Sequence, residues 1–159
     1  MTKFFKIALA AFAALTVTAN AQEITRIDEG RHFYSTIEVP AGADQLYVSG
    51  KGPGAINPDA EGVARYGSTE EQARSTFTKI KEAVEKAGWS MSDLVMVRVY
   101  LVADPAMGKM DFAGFNTAYR EFFGTEENPN KPVRAVVEIS GLAVDGWLVE
   151  IDVRGARTK

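Results

Sequence analysis

Residues 93–103 read DLVMVRVYLVA, with Val95, Val97, Val99 and Leu101 alternating with Met96, Arg98 and Tyr100. That period of two predicts a β-strand with one apolar and one mixed face. The segments on either side change period. Residues 68–90 repeat Ala73, Phe77, Ile80, Ala83 and Val84 at intervals of three and four, which predicts an amphipathic helix. Ser68 or Thr69 is placed to cap it, Glu70 and Glu71 suit the positive end of its dipole, and Gly88 follows its last turn. Residues 104–124 carry a second helical pattern, with Phe112, Phe115, Tyr119 and Phe122 as a core stripe. A one-faced strand between two one-faced helices constrains the chain to an α+β fold: a sheet with both helices packed on one side.

The other strand patterns lie at the two ends. Residues 31–39 (RHFYSTIEV) and 44–50 (DQLYVSG), joined by the turn PAGA, predict a hairpin. Residues 131–140 (KPVRAVVEIS) and 147–155 (WLVEIDVRG) predict a second, antiparallel one. In KPVRAVVEIS, Val133, Ala135, Val137 and Ile139 form the expected core face, while Arg134, Val136, Glu138 and Ser140 form the other. A turn near 142 or 143 sets Glu150 opposite position 134 or 136, so Arg134 and Glu150 are expected as cross-strand neighbours. Two helices cover one side of the sheet only. The remaining side, carrying Arg134, Val136, Leu148 and Glu150, is expected to meet another subunit. Residues 51–68 read as a flexible Gly/Pro/Asn/Asp-rich loop. Gly50, Gly52 and Gly54 are not followed by the Gly-Lys-Ser/Thr of a phosphate loop.

Met1 to Ala21 has the pattern of a secretory signal: Lys3 and Lys6, the apolar run IALAAFAALTV, and ANA as a small-x-small cleavage site. The run is too short to span a bilayer, which needs about 20 residues. An uncleaved anchor or an amphipathic helix is the alternative reading. Cleavage leaves residues 22–159, with no repeat or linker, as a single expected domain of periplasmic or secreted location, without stable membrane attachment. It also takes the formal net charge from −3 to −5. An acidic chain with scattered basic residues lacks the electrostatic footprint of a nucleic-acid binder. The absence of cysteine excludes thiolate catalysis and cysteine-ligated metal, and one histidine, His32, excludes any site needing two imidazoles. His32 itself reads as a surface strand residue.

An arginine on a strand face can bind a carboxylate through two parallel hydrogen bonds. A glutamate beside it can activate water, as a weak base suited to an already reactive electrophile. From spacing alone the pair reads first as a structural cross-strand ion pair, and only second as a catalytic one.

The segments DFAGFNTAYREFFG, KPVRAVVEISGL and LVEIDV, in this order and spacing, resemble the reactive-intermediate deaminase family, also called the Rid or YjgF family. The resemblance runs from about Phe33 to Val153. It implies a chorismate-mutase-like α+β fold and a homotrimer with a barrel-like sheet core and three clefts between subunits. The implied activity is cofactor-free and metal-free hydrolysis of 2-imino acids to 2-oxo acids and ammonia. Arg134 matches the arginine that holds the substrate carboxylate, a residue missing from branches that are not deaminases. Glu150 matches the glutamate that positions the attacking water. Ser49 and Gly50 match the strand-end pair whose main chain lines the cleft, Asn116 matches a helix asparagine near it, and Tyr34 matches the family's N-terminal aromatic across a gap.

Two features depart from the family pattern. Val136 stands where many members have cysteine, which implies altered substrate shape or rate, because water and not that cysteine is the nucleophile. The signal pattern places the chain away from the cytosol, where imines arise. A noncatalytic trimer binding small carboxylates or acting as a chaperone is the alternative function. Ribonuclease activity, described for some relatives, fits the acidic charge poorly.

Overall fold

Ser68 starts the longest helix in the computed structural model, which describes residues 23–158. Its side chain accepts a hydrogen bond from the Glu71 N–H, and the Glu71 carboxylate accepts one from the Ser68 N–H at 2.8 Å, a reciprocal cap for α2 (Thr69–Lys86). The signal-like segment 1–21 lies outside the described residues. Ala73, Phe77, Ile80 and Val84 of α2 are buried, as their spacing predicts, while Ala83 is half-buried. Phe77 is the centre of the aromatic core, with the rings of Phe115, Tyr119, Phe122 and Phe123 at 5.2–6.1 Å. Asp111 caps α3 (Phe112–Tyr119), accepting from the Gly114 N–H at 2.8 Å. Phe115 and Tyr119 enter the core, but Phe112, at the helix start, stays 44% exposed.

Six strands accompany these helices: β1 (Thr25–Glu29), β2 (Tyr34–Glu38), β3 (Asp44–Lys51), β4 (Leu94–Val102), β5 (Val133–Ile139) and β6 (Val149–Arg157). The main sheet has the order β3-β6-β4-β5; β4 is antiparallel to β6 and parallel to β5, and β6 is antiparallel to β3. Val97, Val99 and Leu101 of β4 and Val149, Ile151 and Val153 of β6 turn toward the helices and are buried. This is the sheet with two helices on one face that the sequence predicts, and its strand directions are mixed. The parallel link from β4 to β5 runs through α3, as a parallel pair requires a crossover.

Neither predicted hairpin forms. β2 pairs with β1 in a separate two-stranded sheet, after a tight turn in which the Gly30 N–H donates to Phe33 O at 2.8 Å. β3 instead borders β6. At the other end β4 lies between β5 and β6. The reason is the row each strand shows the helices: β4 and β6 offer unbroken apolar rows, whereas β5 offers Arg134, Val136 and Glu138, aligned with Val97, Val99 and Leu101. A strand with charges on its inner row is tolerated at a sheet edge, where water can reach them. The expected faces of β5 are therefore exchanged. Val133, Ala135, Val137 and Ile139 lie on the face away from the helices, and Val137 is 46% exposed. Leu148, expected on the open face, is buried just before β6, where its N–H donates to Gln72 Oε1 at 2.8 Å.

Residues 51–68, expected as a flexible loop, contain helix α1 (Gly62–Tyr66). The Ile56 and Asn57 N–H groups both donate to Arg65 O, at 2.9 and 3.1 Å, and Asn57 Nδ2 donates to Ala64 O at 2.9 Å. Short polar side chains that satisfy backbone groups locally give such a segment fixed partners without any apolar periodicity to announce them.

Candidate active site

Because β5 is an edge strand whose inner row faces α3, Arg134 enters the structure beside that helix. Asn116, 6% exposed, donates through Nδ2 to Phe112 O at 2.8 Å, which turns Oδ1 toward Arg134 Nη1, also at 2.8 Å. The guanidinium carbon lies 4.6 Å from the Tyr119 ring centroid and 5.5–5.8 Å from those of Phe115, Phe33 and Phe112. Burial disfavours the charged form of Arg134, opposed by Tyr119, yet a guanidinium remains protonated in proteins. Among the described residues the ion pairs of arginine involve Arg74 and Arg98, and no carboxylate pairs with Arg134. A half-buried cation whose hydrogen-bond partner is a neutral amide oxygen is electrostatically unsatisfied, and an incoming carboxylate would correct that.

Tyr119 is held by its other end. Its hydroxyl donates to His32 O at 2.7 Å, and burial pushes its pKa up, so it stays protonated. The His32 ring stands edge-on to Tyr119 at 6.3 Å. His32 is therefore half-buried in the turn between β1 and β2, not on a surface strand, because pairing β2 with β1 curls residues 30–33 over α3. Burial, and next the charge of Arg134, hold its imidazole below the usual range, with Arg31, Arg120 and Lys131 adding to the effect.

Glu150 stands on the other face of the sheet. It is opposite Tyr100 in the β4–β6 register, while its neighbours Val149 and Ile151 point to the helices. A Cβ at Gly50 would lie 2.1 Å from Glu150 Oε1, so the carboxylate packs directly on the backbone there. Ser49 and Gly50 occupy the irregularity of β3 between Val48 and Lys51, and with Arg98, Asp152 and Arg154 they line a cleft on this face. Arg98 Nε donates to Asp152 Oδ1 at 2.9 Å, and the Tyr100 hydroxyl donates to Asp152 Oδ2 at 3.2 Å.

The candidate residues thus form two groups. Arg134 and Asn116 meet on the helix face, with Val136 two residues further along the same row; Glu150 meets Gly50 on the open face, with Ser49 next to Gly50 along β3. The expected Arg134–Glu150 neighbourhood does not occur within one chain, since β4 separates their strands and the two side chains leave opposite faces. Tyr34 opens β2 opposite Glu29, and the aromatic ring near Arg134 is that of the preceding Phe33. No spacing in the sequence connects Phe33, Phe112, Tyr119 and His32 with Arg134. Phe112 and Tyr119 were visible as a stripe, but only the position of β5 shows that the stripe faces an arginine.

Comparison with known proteins places these features in context. The family model described as endoribonuclease L-PSP matches residues 24–156. A RutC family protein of Pyrococcus horikoshii is 36% identical over 107 residues, covering 67% of this chain and 75% of its own length. The 2-iminobutanoate/2-iminopropanoate deaminase of Salmonella typhimurium is 34% identical over 100 residues, covering 63% and 70%. The crystal structure of the YjgF gene product of E. coli superposes with a TM-score of 0.58 at 29% identity, over 75% of this chain and 84% of that one. A Rid-family protein of Yersinia pestis gives 0.62 at 20% identity, over 79% and 87%. The fold is the chorismate-mutase-like α+β fold.

Proposed function

As the chain belongs to the endoribonuclease L-PSP family, which includes the RutC and YjgF (Rid) proteins, we propose that it hydrolyses 2-imino acids to 2-oxo acids and ammonia. The observation that carries this reading is Arg134: a half-buried guanidinium fixed by Asn116, surrounded by aromatic rings and paired with no carboxylate among the described residues. It holds the substrate carboxylate. Glu150 accepts a proton from water as the water oxygen bonds to the imine carbon, and the C=N electron pair moves to nitrogen, which takes up a proton. In the resulting tetrahedral adduct the hydroxyl oxygen reforms a carbonyl, the C–N bond breaks, and nitrogen leaves with a further proton as ammonia. The main chain of Ser49 and Gly50 lines the cleft beside Glu150, Phe33 in place of the expected Tyr34 borders the carboxylate end, and Val136 shapes the pocket next to Arg134.

Since Arg134 and Glu150 leave opposite faces of one sheet, a complete site takes Arg134 from one copy and Glu150 from the next. A homotrimer with its open sheet faces turned inward as a barrel supplies three such clefts. Cleavage after Ala21 would deliver this assembly to the periplasm or outside the cell.

The experiment supplies 2-iminopropanoate and 2-iminobutanoate in situ with an amino acid oxidase and follows their clearance by the chain from Gln22 onward. Arg134→Ala and Glu150→Ala are each expected to abolish catalysed clearance while leaving the fold intact by circular dichroism. Full activity in either variant overturns its assigned role. The second reading, a noncatalytic carboxylate-binding protein, draws on the fact that the Arg134 cage is complete within one chain while Glu150 is not part of it; 2-oxo acid binding by a wild type without turnover would establish it.

A further inference from the structure

The surroundings of Arg134 also say which carboxylates fit. Two of its four aromatic neighbours, Phe115 and Tyr119, are buried, but Phe33 and Phe112 are 40% and 44% exposed, and their rings flank the guanidinium at 5.6 and 5.8 Å. Phe112 belongs to a second feature as well. It forms one wall of a groove that continues along Met107, Met110 and Ala113 and is bordered by Lys109, Asp111 and Glu138. Met107 is 49% exposed. The Glu138 carboxylate is engaged by the Met110 N–H at 2.6 Å, which fixes the border of the groove. An arginine with an apolar groove beginning at its own aromatic wall is a two-part receptor: one end takes a carboxylate, the other an uncharged side chain.

Building on the proposed 2-imino acid site, we infer that the groove of Phe112, Met107 and Met110 selects substrates with bulky apolar side chains, of the leucine, methionine or phenylalanine type, over those with a methyl group. A carboxylate in bidentate contact with the guanidinium places its α-carbon about 5 Å from the guanidinium carbon. A methyl substituent ends one bond beyond that carbon. A side chain of four or more heavy atoms continues over the ring and onto the methionines, whose unbranched thioethers adapt to aliphatic or aromatic shapes. Each added carbon that leaves water in such a groove raises the preference several-fold, so the three carbons by which a leucine-type side chain exceeds a methyl give at least about tenfold.

Binding of stable 2-oxo acids tests this without depending on turnover. Titration calorimetry of the full protein with pyruvate, 4-methyl-2-oxopentanoate and phenylpyruvate is expected to give dissociation constants at least about tenfold lower for the two larger acids. Met107→Ser, at an exposed position, and Phe112→Ala are each expected to shrink that ratio several-fold. The imines of leucine and alanine, generated in situ, should show the same order in kcat/KM. Equal affinities, tighter pyruvate binding, or an unchanged ratio in both variants overturns the inference. A preserved binding order in a protein that turns over no imine upholds the groove and overturns the deaminase reading instead.

Discussion

The surroundings of His32 make a pH-dependent contribution to stability that its sequence position does not reveal. Its imidazole is half-buried against Tyr119 with four cationic side chains around it, and burial and then Arg134 lower its pKa from 6.5. The unfolded chain therefore binds the proton more tightly than the folded one. Above pH 6.5 the residue is neutral in both states and costs nothing; as pH falls from 6.5 through the folded value, stability is lost. His32→Gln is expected to unfold at a urea midpoint less sensitive to acid than the wild type between pH 7.5 and pH 5, and equal slopes would refute this. Arg134 was legible in the sequence because an arginine within an apolar strand is conspicuous. Its face was not: a period of two says which residues travel together, and not which set meets the helices. That choice depends on strand order, and the cage of Phe33, Phe112 and Tyr119 followed only from it.

At the scale of elements the helices were the most legible, because cap and stripe are both local. Ser68, Glu71, Ala73, Phe77, Ile80 and Val84 each do what their spacing predicts. Phe77 is fully buried among four rings, and Phe77→Ala is expected to cost about 3–5 kcal/mol of folding free energy, measured by denaturant titration. A loss below 1 kcal/mol would show that the ring cluster does not hold α2 to α3. Strand pairing was far less legible. Adjacent strands joined by a short turn predict hairpins, whereas β6 pairs with β3 and β4. The strand β1, TRIDE, has no sequence signal, because one apolar residue in five gives no period, although its main chain completes the small sheet with β2.

The whole molecule poses a question of assembly, since the two proposed reactive groups leave opposite faces of one sheet. Inactive Arg134→Ala and Glu150→Ala chains, unfolded and refolded together in equal amounts, are expected to recover about a quarter of wild-type activity, because one interface in four then brings together two intact residues. No recovery from a well-folded mixture would mean that the two residues serve one site within one chain, or none. A site shared between two copies, as proposed, would give the reaction a threshold in dose. A closed ring of copies has as many complete sites as members, an open row has one fewer, and a solitary chain has none. Diluted past the point where rings come apart, such a catalyst does not slow in proportion to its amount but falls silent, and a cell making too little of it gains almost nothing.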